Sequence, residues 1–370
     1  MSDALIELIA VQPFMQLADY RTVDAFDAKI AGLTDRIAAA RERDPDGRFR
    51  FPALVVFPEH IGTFLSIAEY GALADAGDDV DTVLRRVVVR HPLKFLAALL
   101  THRTWSPSAA VLLMESAKMH RAYRHAFRDA ARRLQATVVA GSIILPDNSA
   151  GIDAEELRPA NNRLYNLSYT FAPDGRCVNV TRKVNLVPTL EDTLPLVPGA
   201  AADVTGFASP CGRVGVMICY DGFREPHTEH EQGFRALGPA LAAAGVDIVA
   251  QPSANPWPWN ARWVFCADGE YQLRREQWLR EGLYSQLADM PGVRYAVNPQ
   301  LIGDLLGTRF DGRSYVFARD AGGATTIVAA AARETLGPES EEILVALVPS
   351  PAALAETAAT PPPRSAARTS

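Results

Sequence analysis

The chain of 370 residues has little cysteine, little excess charge and no long apolar run. Its four cysteines form no C-x-x-C pair and are too sparse for a disulfide scaffold. The net charge of −6 offers nucleic acid no general attraction. The longest uncharged stretch, residues 248–261, contains prolines and is shorter than the roughly 18 residues of a membrane span. We therefore expect neither a nucleic-acid partner nor a membrane anchor.

The sequence also lacks the common cofactor and metal motifs. It contains no G-x-G-x-x-G, no G-x-x-x-x-G-K and no G-x-S-x-G, so nucleotide binding and serine hydrolysis lack support. The segment 227–230 reads His-Thr-Glu-His rather than H-E-x-x-H, and we expect neither a metal nor another cofactor. The first seven residues carry no positive n-region, which argues against a signal peptide and favours a cytoplasmic location.

What is present indicates a globular α/β protein. Apolar residues make up 48% of the chain and charged residues 22%, a balance that supports a core without disulfides. Apolar segments alternate with segments of helical period, and hairpin turns at 173–176 and 320–323 interrupt the alternation. This order predicts mixed sheets covered by helices. The predicted strands are 4–12, 53–57, 137–145, 164–171, 177–183, 214–218, 247–251, 294–298 and 343–348. The predicted helices are 22–43, 115–134, 236–244 and 272–287.

Two segments depart from this alternation. Residues 60–113 contain an acidic patch at 75–81 and a basic patch at 85–91, and we interpret them as a surface insertion, either a lid or an oligomer contact. Residues 351–370 consist largely of Ala, Pro, Ser and Thr, a composition that predicts a disordered tail. Residues 1–350 are then expected to form one domain.

Three apolar strands each end at a polar residue of different chemistry: Glu59, Lys183 and Cys219. In open α/β sheets, ligands collect at the carboxyl ends of strands. A thiol, a carboxylate and an ammonium in one pocket would supply a nucleophile, a base and a cation for an oxyanion. Taken singly, the same residues are typical of a buried thiol, a solvated strand end and a surface lysine.

The segments around these residues closely resemble the signature segments of the carbon–nitrogen hydrolase (nitrilase) superfamily. They read Phe-Pro-Glu at 57–59, Arg-Lys-Val-Asn-Leu-Val-Pro-Thr at 182–189 and Gly-Val-Met-Ile-Cys-Tyr-Asp at 215–221. Weaker similarities place the resemblance over roughly residues 5–348, apart from the insertion. The resemblance implies an α/β fold, a four-layer α-β-β-α sandwich with two mixed β-sheets, and assembly into homo-oligomers.

The same resemblance implies roles for individual residues. Glu59 corresponds to the general base, Lys183 to the oxyanion-stabilising cation and Cys219 to the nucleophile. Glu191, eight residues after the lysine, would position substrate or assist Glu59, unless it is only an ion pair that holds the loop. The backbone N–H of Tyr220 would be the second oxyanion donor.

The charge of this group bears on the state of the thiol. Two glutamates and one lysine around Cys219 give a formal local charge of −1, which does not favour a thiolate. Our hypothesis is that Cys219 rests as a thiol and loses its proton to Glu59 during attack. The other cysteines, Cys177, Cys211 and Cys266, are expected to be spectators.

We expect a small-molecule substrate, and one pair of residues bears on its chemical class. The pair Tyr220-Asp221 resembles the amidase and carbamoylase branches, whereas true nitrilases usually have Trp-Glu after the cysteine. We therefore expect hydrolysis of an amide or N-carbamoyl bond through a thioester. The alternatives are a nitrilase that acts on a nitrile and a non-catalytic scaffold or sensor.

A tryptophan-rich segment follows the last signature segment. Trp257, Trp259 and Arg262 lie within residues 256–263 and are candidate pocket residues, forming an aromatic wall with a cation for a carboxylate. Packing or a subunit contact is the alternative, because tryptophan is enriched at both kinds of site.

Overall fold

The structure, a computed structural model, describes residues 4–68, 70, 78–188, 191, 195–266, 269–334 and 336–359. The strands of these residues form two large mixed sheets and one small sheet. The first sheet has the order β16-β1-β3-β4-β6-β5, with β7 paired to β6. The second has the order β15-β14-β11-β10-β9-β8, and the small sheet the order β13-β12-β2.

The bounds of the elements are as follows. The strands are β1 (Leu5–Gln12), β2 (Phe14–Gln16), β3 (Ala53–Val56), β4 (Thr137–Val139), β5 (Ile143–Leu145), β6 (Tyr165–Phe171), β7 (Cys177–Arg182), β8 (Gly206–Ser209), β9 (Gly212–Val216), β10 (Ile248–Ala250), β11 (Tyr295–Asn298), β12 (Ile302–Leu305), β13 (Thr308–Phe310), β14 (Tyr315–Arg319), β15 (Thr325–Ala330) and β16 (Glu342–Pro349). The helices are α1 (Val23–Ala40), α2 (Val80–Arg90), α3 (Pro92–His102), α4 (Pro107–Leu134), α5 (Gly238–Ala243), α6 (Arg274–Glu281), α7 (Leu283–Gln286) and α8 (Pro351–Ala359).

The alternation of side chains along β1 shows how the layers stack. Ile9 and Val11 point into a cluster that also contains the buried faces of α1 and α4. Ile6 and Leu8 point the other way, into a second cluster that contains side chains of both large sheets and of α5, α6 and α7. Because both faces of β1 are buried, its sequence is almost continuously apolar. The order helices, sheet, sheet, helices confirms the predicted α-β-β-α sandwich.

Glycines break two of the predicted elements. The predicted strand 137–145 forms β4 and β5 because Gly141 between them has φ +75°, a left-handed conformation. The predicted helix 272–287 stops at the extended Gly282 and continues as α7. A Cβ at Gly282 would lie 2.3 Å from the carbonyl oxygen of Trp278, so only glycine fits this break.

The insertion is helical over most of its described length. Asp79 caps α2 by accepting a hydrogen bond from the Thr82 N–H at 2.8 Å, and α3 follows directly. The helix predicted at 115–134 begins earlier, at Pro107, where the Ser106 hydroxyl accepts from the Ala109 N–H at 3.3 Å. The insertion therefore ends inside α4 rather than before it. Part of its acidic patch, including Asp75, lies outside the described residues.

The predicted disordered tail is wrong for its first part. Residues 351–359 form α8, while 360–370 lie outside the described residues. Alanine-rich sequence has a high helix propensity, Pro351 suits a first helical position, and the Ser350 hydroxyl accepts from the Ala353 N–H at 3.2 Å. Leu354 packs against the second core cluster and holds the helix to the sheet. Among the described residues, no helix has the length and apolar character that crossing a membrane requires.

The left-handed Gly141 gives a test of the fold next to Glu59. A Cβ at Gly141 would lie 2.0 Å from the Pro58 carbonyl oxygen, whereas one at the left-handed Gly151 would meet nothing within 4 Å. Gly151→Ala should cost about 1 kcal/mol of unfolding free energy for its backbone alone, and Gly141→Ala at least about 2 kcal/mol more. Urea unfolding of both variants measures the difference. Equal losses would show that the approach of Pro58 imposes no constraint.

Candidate active site

The residues predicted to carry the chemistry follow three strands of the two large sheets. Glu59 lies just after β3, Lys183 directly after β7 and Cys219 just after β9. All three are buried, with exposed fractions of 1%, 1% and 4%. The structure thus brings together, across the two facing sheets, residues that are 124 and 36 positions apart in the chain.

An ammonium between two carboxylates forms the centre of the site. Lys183 Nζ donates to Glu59 Oε1 at 2.7 Å and to Glu191 Oε2. Burial alone would lower the pKa of Lys183, but the charges of Glu191 and Glu59 outweigh it and hold this pKa well above its usual value. Burial would likewise raise the pKa of Glu191, yet Lys183 and His60 lower it. The lysine therefore stays charged in a buried place.

Asn166 fixes the two carboxylates relative to each other. It lies in β6, and its side-chain amide donates to Glu59 Oε1 and to Glu191 Oε1, both at 3.0 Å. The Val187 N–H donates to Glu191 Oε2 at 2.9 Å, which anchors the loop that carries this glutamate. A buried asparagine in an apolar strand is the sequence signal that indicates such a role.

The peptide units of Ala254 lie between the carboxylate and the thiol. Its N–H donates to Glu59 Oε2 at 3.2 Å, and its carbonyl oxygen accepts from Cys219 Sγ at 3.7 Å. Both groups therefore contact the same residue from the segment after β10. Sequence reasoning did not single out Ala254, because a backbone contact leaves no signal in the side chain.

Cys219 occupies a sharp turn between β9 and a 3-10 helix, Cys219–Gly222. Its φ of +50° is unusual for a residue other than glycine. The turn is held from the neighbouring strand: the Cys219 N–H donates to the Pro252 carbonyl at 2.8 Å, and its carbonyl accepts from Gln251 Nε2 at 2.7 Å. Strained backbone persists where surrounding contacts determine it, and such positions cluster at functional sites.

The environment of Cys219 favours its neutral form. Burial raises the pKa of the thiol, and the negative charge of Glu59 raises it further, while Lys183 offsets only part of this. The direction agrees with the local charge of −1 counted from the sequence. Cys177 and Cys211 are also buried, and burial raises their pKa values to about 11 and about 12.

Asp221 ties the lysine loop to the cysteine loop. Its carboxylate accepts from the N–H groups of Asn185 at 2.7 Å, Val184 at 3.1 Å and Ile218 at 3.3 Å. Burial raises the pKa of Asp221 to about 7, and these hydrogen bonds oppose the rise. In the sequence this residue served only to mark a family branch, so its structural role was missed.

A cavity of about 290 Å³ adjoins the carboxylate cluster. Glu59, Lys183 and Glu191 line it at one place, together with His60 and Ala254. Apolar side chains of α2, α4 and the small sheet contribute most of the remaining wall.

The predicted pocket residues Trp257, Trp259 and Arg262 do not line this cavity. Trp259 is buried against Trp278 at a ring-centroid distance of 5.6 Å. Trp257 packs against Trp263 at 5.1 Å, and Arg262 Nε donates to a surface carbonyl, that of Glu270, at 3.2 Å. These three residues lie away from the cavity because this segment folds toward α6, and their pocket role stays a prediction.

The tryptophans instead surround a buried cation. The Arg274 guanidinium lies 3.9 Å from the ring centroid of Trp263 and 4.9 Å from those of Trp257 and Trp278. It donates to the Asn255 side-chain oxygen at 2.9 Å. The packing interpretation of the tryptophans is therefore the one that the structure supports.

One group of side chains in the described residues has the donor set of a cation site. Glu59, His60 and Glu191 each offer an atom within 4.8 Å of the others. Lys183 Nζ, however, already donates to both carboxylates and supplies the positive charge at that place. A divalent ion between the carboxylates would meet this ammonium, so the donor set suits the lysine better than a metal.

Comparisons with known proteins bear on the family and on the fold. The family model described as carbon-nitrogen hydrolase matches residues 53–225, a range that contains Glu59, Lys183, Glu191 and Cys219. A carbon-nitrogen hydrolase from Helicobacter pylori G27 superposes with a TM-score of 0.58 at 14% identity, covering 96% of this chain and 92% of that one. No curated protein matches the sequence.

Two further solved structures share the fold. Nit3 from Saccharomyces cerevisiae, a member of branch 10 of the nitrilase superfamily, has a TM-score of 0.52 at 20% identity and covers 99% of this chain and 97% of its own. An amidase from Nesterenkonia sp. has a TM-score of 0.51 at 17% identity, covering 94% and 90%. The family match and the shared fold confirm the resemblance to the carbon–nitrogen hydrolase (nitrilase) superfamily. The family whose model matches residues 53–225 is that of carbon-nitrogen hydrolases.

The buried thiol gives a test of the site. An ordinary cysteine ionises near pH 8.5, but burial and Glu59 should keep Cys219 neutral through about pH 9. Thiolate absorbance at 240 nm, taken as the difference between wild type and Cys219→Ala, should show no step below that pH. A step several units lower would contradict the resting thiol.

Proposed function

We propose that the chain hydrolyses a non-peptide amide or N-carbamoyl bond through a thioester on Cys219. One observation carries the proposal: the ammonium of Lys183 lies between Glu59 and Glu191, and Ala254 contacts both Glu59 and the thiol. The proposed base and cation line a cavity of small-molecule size, and the proposed nucleophile contacts Ala254 in the same wall.

The proposed attack begins with the neutral thiol. Glu59 takes the proton of Cys219 as the sulfur forms a bond to the carbonyl carbon, and the π electrons move to the oxygen. Lys183 would stabilise this oxyanion together with the N–H of Tyr220, which lies in the first turn of the 3-10 helix, where N–H groups lack intrahelical acceptors.

The intermediate then collapses in two stages. The carbon–nitrogen bond breaks, Glu59 returns its proton to the leaving nitrogen, and ammonia or an amine departs. Water that gives its proton to Glu59 then attacks the thioester, and the acid leaves as the sulfur regains a proton. Each stage uses the same carboxylate, so its charge state returns to the start after a full cycle.

We assign Glu191 a positioning role. It contacts Lys183 and shares Asn166 with Glu59, so it holds the cation and the base at a fixed separation. Glu191 also lines the cavity. The alternative roles are therefore assistance to Glu59 and direct contact with the substrate.

Three broader expectations remain predictions. One domain over residues 1–350, a cytoplasmic location and a homo-oligomer follow from the sequence. Self-association has support from apolar side chains that α3 exposes, Leu93, Leu96 and Leu100, and from the exposed Trp105 beyond it.

Ammonia release from a panel of primary amides, N-carbamoyl compounds and nitriles tests the proposed function. Amides or carbamoyl compounds should react, and Cys219→Ala should lower kcat at least about 1,000-fold because it removes the nucleophile. Reaction of nitriles alone would establish the nitrilase alternative. No turnover together with a Cys219 that iodoacetamide does not label would establish the scaffold or sensor.

The base assignment has its own test in the rate of Cys219 alkylation. If Glu59 accepts the thiol proton, Glu59→Gln should slow labelling by iodoacetamide at pH 7 by about 100-fold or more. If Glu59 acted only through its charge, the same variant would lower the pKa of the thiol and speed labelling. Mass spectrometry of the labelled peptide gives the rate, with Cys219→Ala as the background. Circular dichroism checks that the variant is folded.

A further inference from the structure

The cavity beside the carboxylate cluster has walls of uneven chemistry. Its charged groups, Glu59, Lys183 and Glu191, stand together, with His60 next to them. The rest of the wall within the described residues is apolar, apart from hydroxyls of threonine and serine. A ligand that fills it therefore needs one polar end and an otherwise apolar body.

The apolar wall comes largely from the insertion. Val83 and Val87 of α2 line the cavity and are 2% and 1% exposed, and Leu112 of α4 belongs to the same wall. Phe310 of the small sheet completes this side. The residues that depart from the family pattern thus build the substrate-facing surface.

The charges that line the cavity disfavour substrates that carry a carboxylate at the end away from the reacting amide. Lys183 is the one lysine or arginine that lines the cavity among the described residues, and both Glu59 and Glu191 already neutralise it. A carboxylate at the far end of a substrate would lose its hydration without gaining a partner. Carboxylated substrates such as N-carbamoyl amino acids fit this wall poorly.

The volume sets the size of the apolar body. At roughly 30 Å³ for each water-sized group, a cavity of about 290 Å³ holds about ten non-hydrogen atoms. Two of them are the oxygen and nitrogen of an amide. About eight remain for carbon.

We propose that the substrate is an uncharged primary amide with an apolar acyl group of about six to eight carbons, and that the insertion helix α2 selects it. The inference rests on the proposed function, because it places the amide beside Glu59 and Lys183 and the acyl chain against Val83 and Val87. Cys219 reaches this cavity through Ala254, which lines the wall and accepts from Cys219 Sγ at 3.7 Å. The alternative it excludes is an anionic or short polar substrate.

The values of kcat/KM for unbranched amides from acetamide to dodecanamide test this proposal. Each buried methylene should raise kcat/KM about fourfold up to hexanamide, with a maximum at hexanamide to octanamide and a fall beyond it. Adipamate, which matches hexanamide in length but ends in a carboxylate, should react at least about 100-fold more slowly. A flat profile, or equal rates for adipamate and hexanamide, would overturn the inference.

Variants on α2 locate the selectivity. Val83→Phe should lower the ratio of kcat/KM for octanamide to that for acetamide at least about tenfold, because the ring takes up cavity space that the longer chain needs. Val89→Phe, at a position on the same helix that is 76% exposed, should change neither rate. Val83→Ala enlarges the cavity without crowding and should move the optimum to a longer chain. An optimum that neither Val83 variant moves would contradict the role of α2.

A binding measurement separates this inference from the proposed function. Calorimetric titration of Cys219→Ala with acetamide and octanamide should show tighter binding of octanamide, on the order of a hundredfold. Tight octanamide binding without any turnover by wild type would refute the hydrolase and keep the apolar site. If acetamide is turned over but neither the rate nor the binding depends on chain length, the hydrolase is kept and the apolar site is refuted.

Discussion

The site depends on one buried ion cluster, in which Lys183 lies between Glu59 and Glu191. An isolated charge in such a place would cost several kcal/mol, and the opposite charges together with the amide of Asn166 offset that cost. The cluster joins the end of β3, the end of β7 and the loop of Glu191. Removing Lys183 would leave two buried carboxylates without their counter-charge, so the position of both glutamates depends on the lysine.

The excess of negative charge in this unit decides the chemistry of Cys219. Burial and the nearby carboxylate disfavour a thiolate, so the proposed nucleophilic attack is coupled to proton transfer and does not start from a standing anion. Glu59 is the proposed proton acceptor, and Ala254 contacts both its carboxylate and the sulfur. The strained turn at Cys219 and the carboxylate of Asp221 keep the thiol and Lys183 in register.

The insertion changes how the common fold is used. The sandwich supplies a rigid edge where strand ends converge, and α2 adds an apolar wall to the open side of that edge. This difference between the sandwich and α2 follows from burial. The sheets are covered on both faces, so their residues have little freedom to vary. A helix that packs on one face can change more freely and alter the cavity. The proposed substrate selection and the carboxylate cluster therefore lie in different parts of the chain.

Local sequence pattern determined much of this protein. Alternating and helical periods predicted the main elements, and the signature segments singled out Glu59, Lys183 and Cys219 for a role that stays a proposal. The direction of Trp257, Trp259 and Arg262 was not predictable, because the side chain of a loop residue takes its direction from neighbours that are distant in sequence. Trp257 packs on Arg274 and Trp259 on Trp278. The helix at 351–359 depended on its contact with the core, and the cavity wall on helices that no motif marks. Periodicity is a property of neighbours along the chain, whereas the shape of a site is set by residues that only the fold brings together.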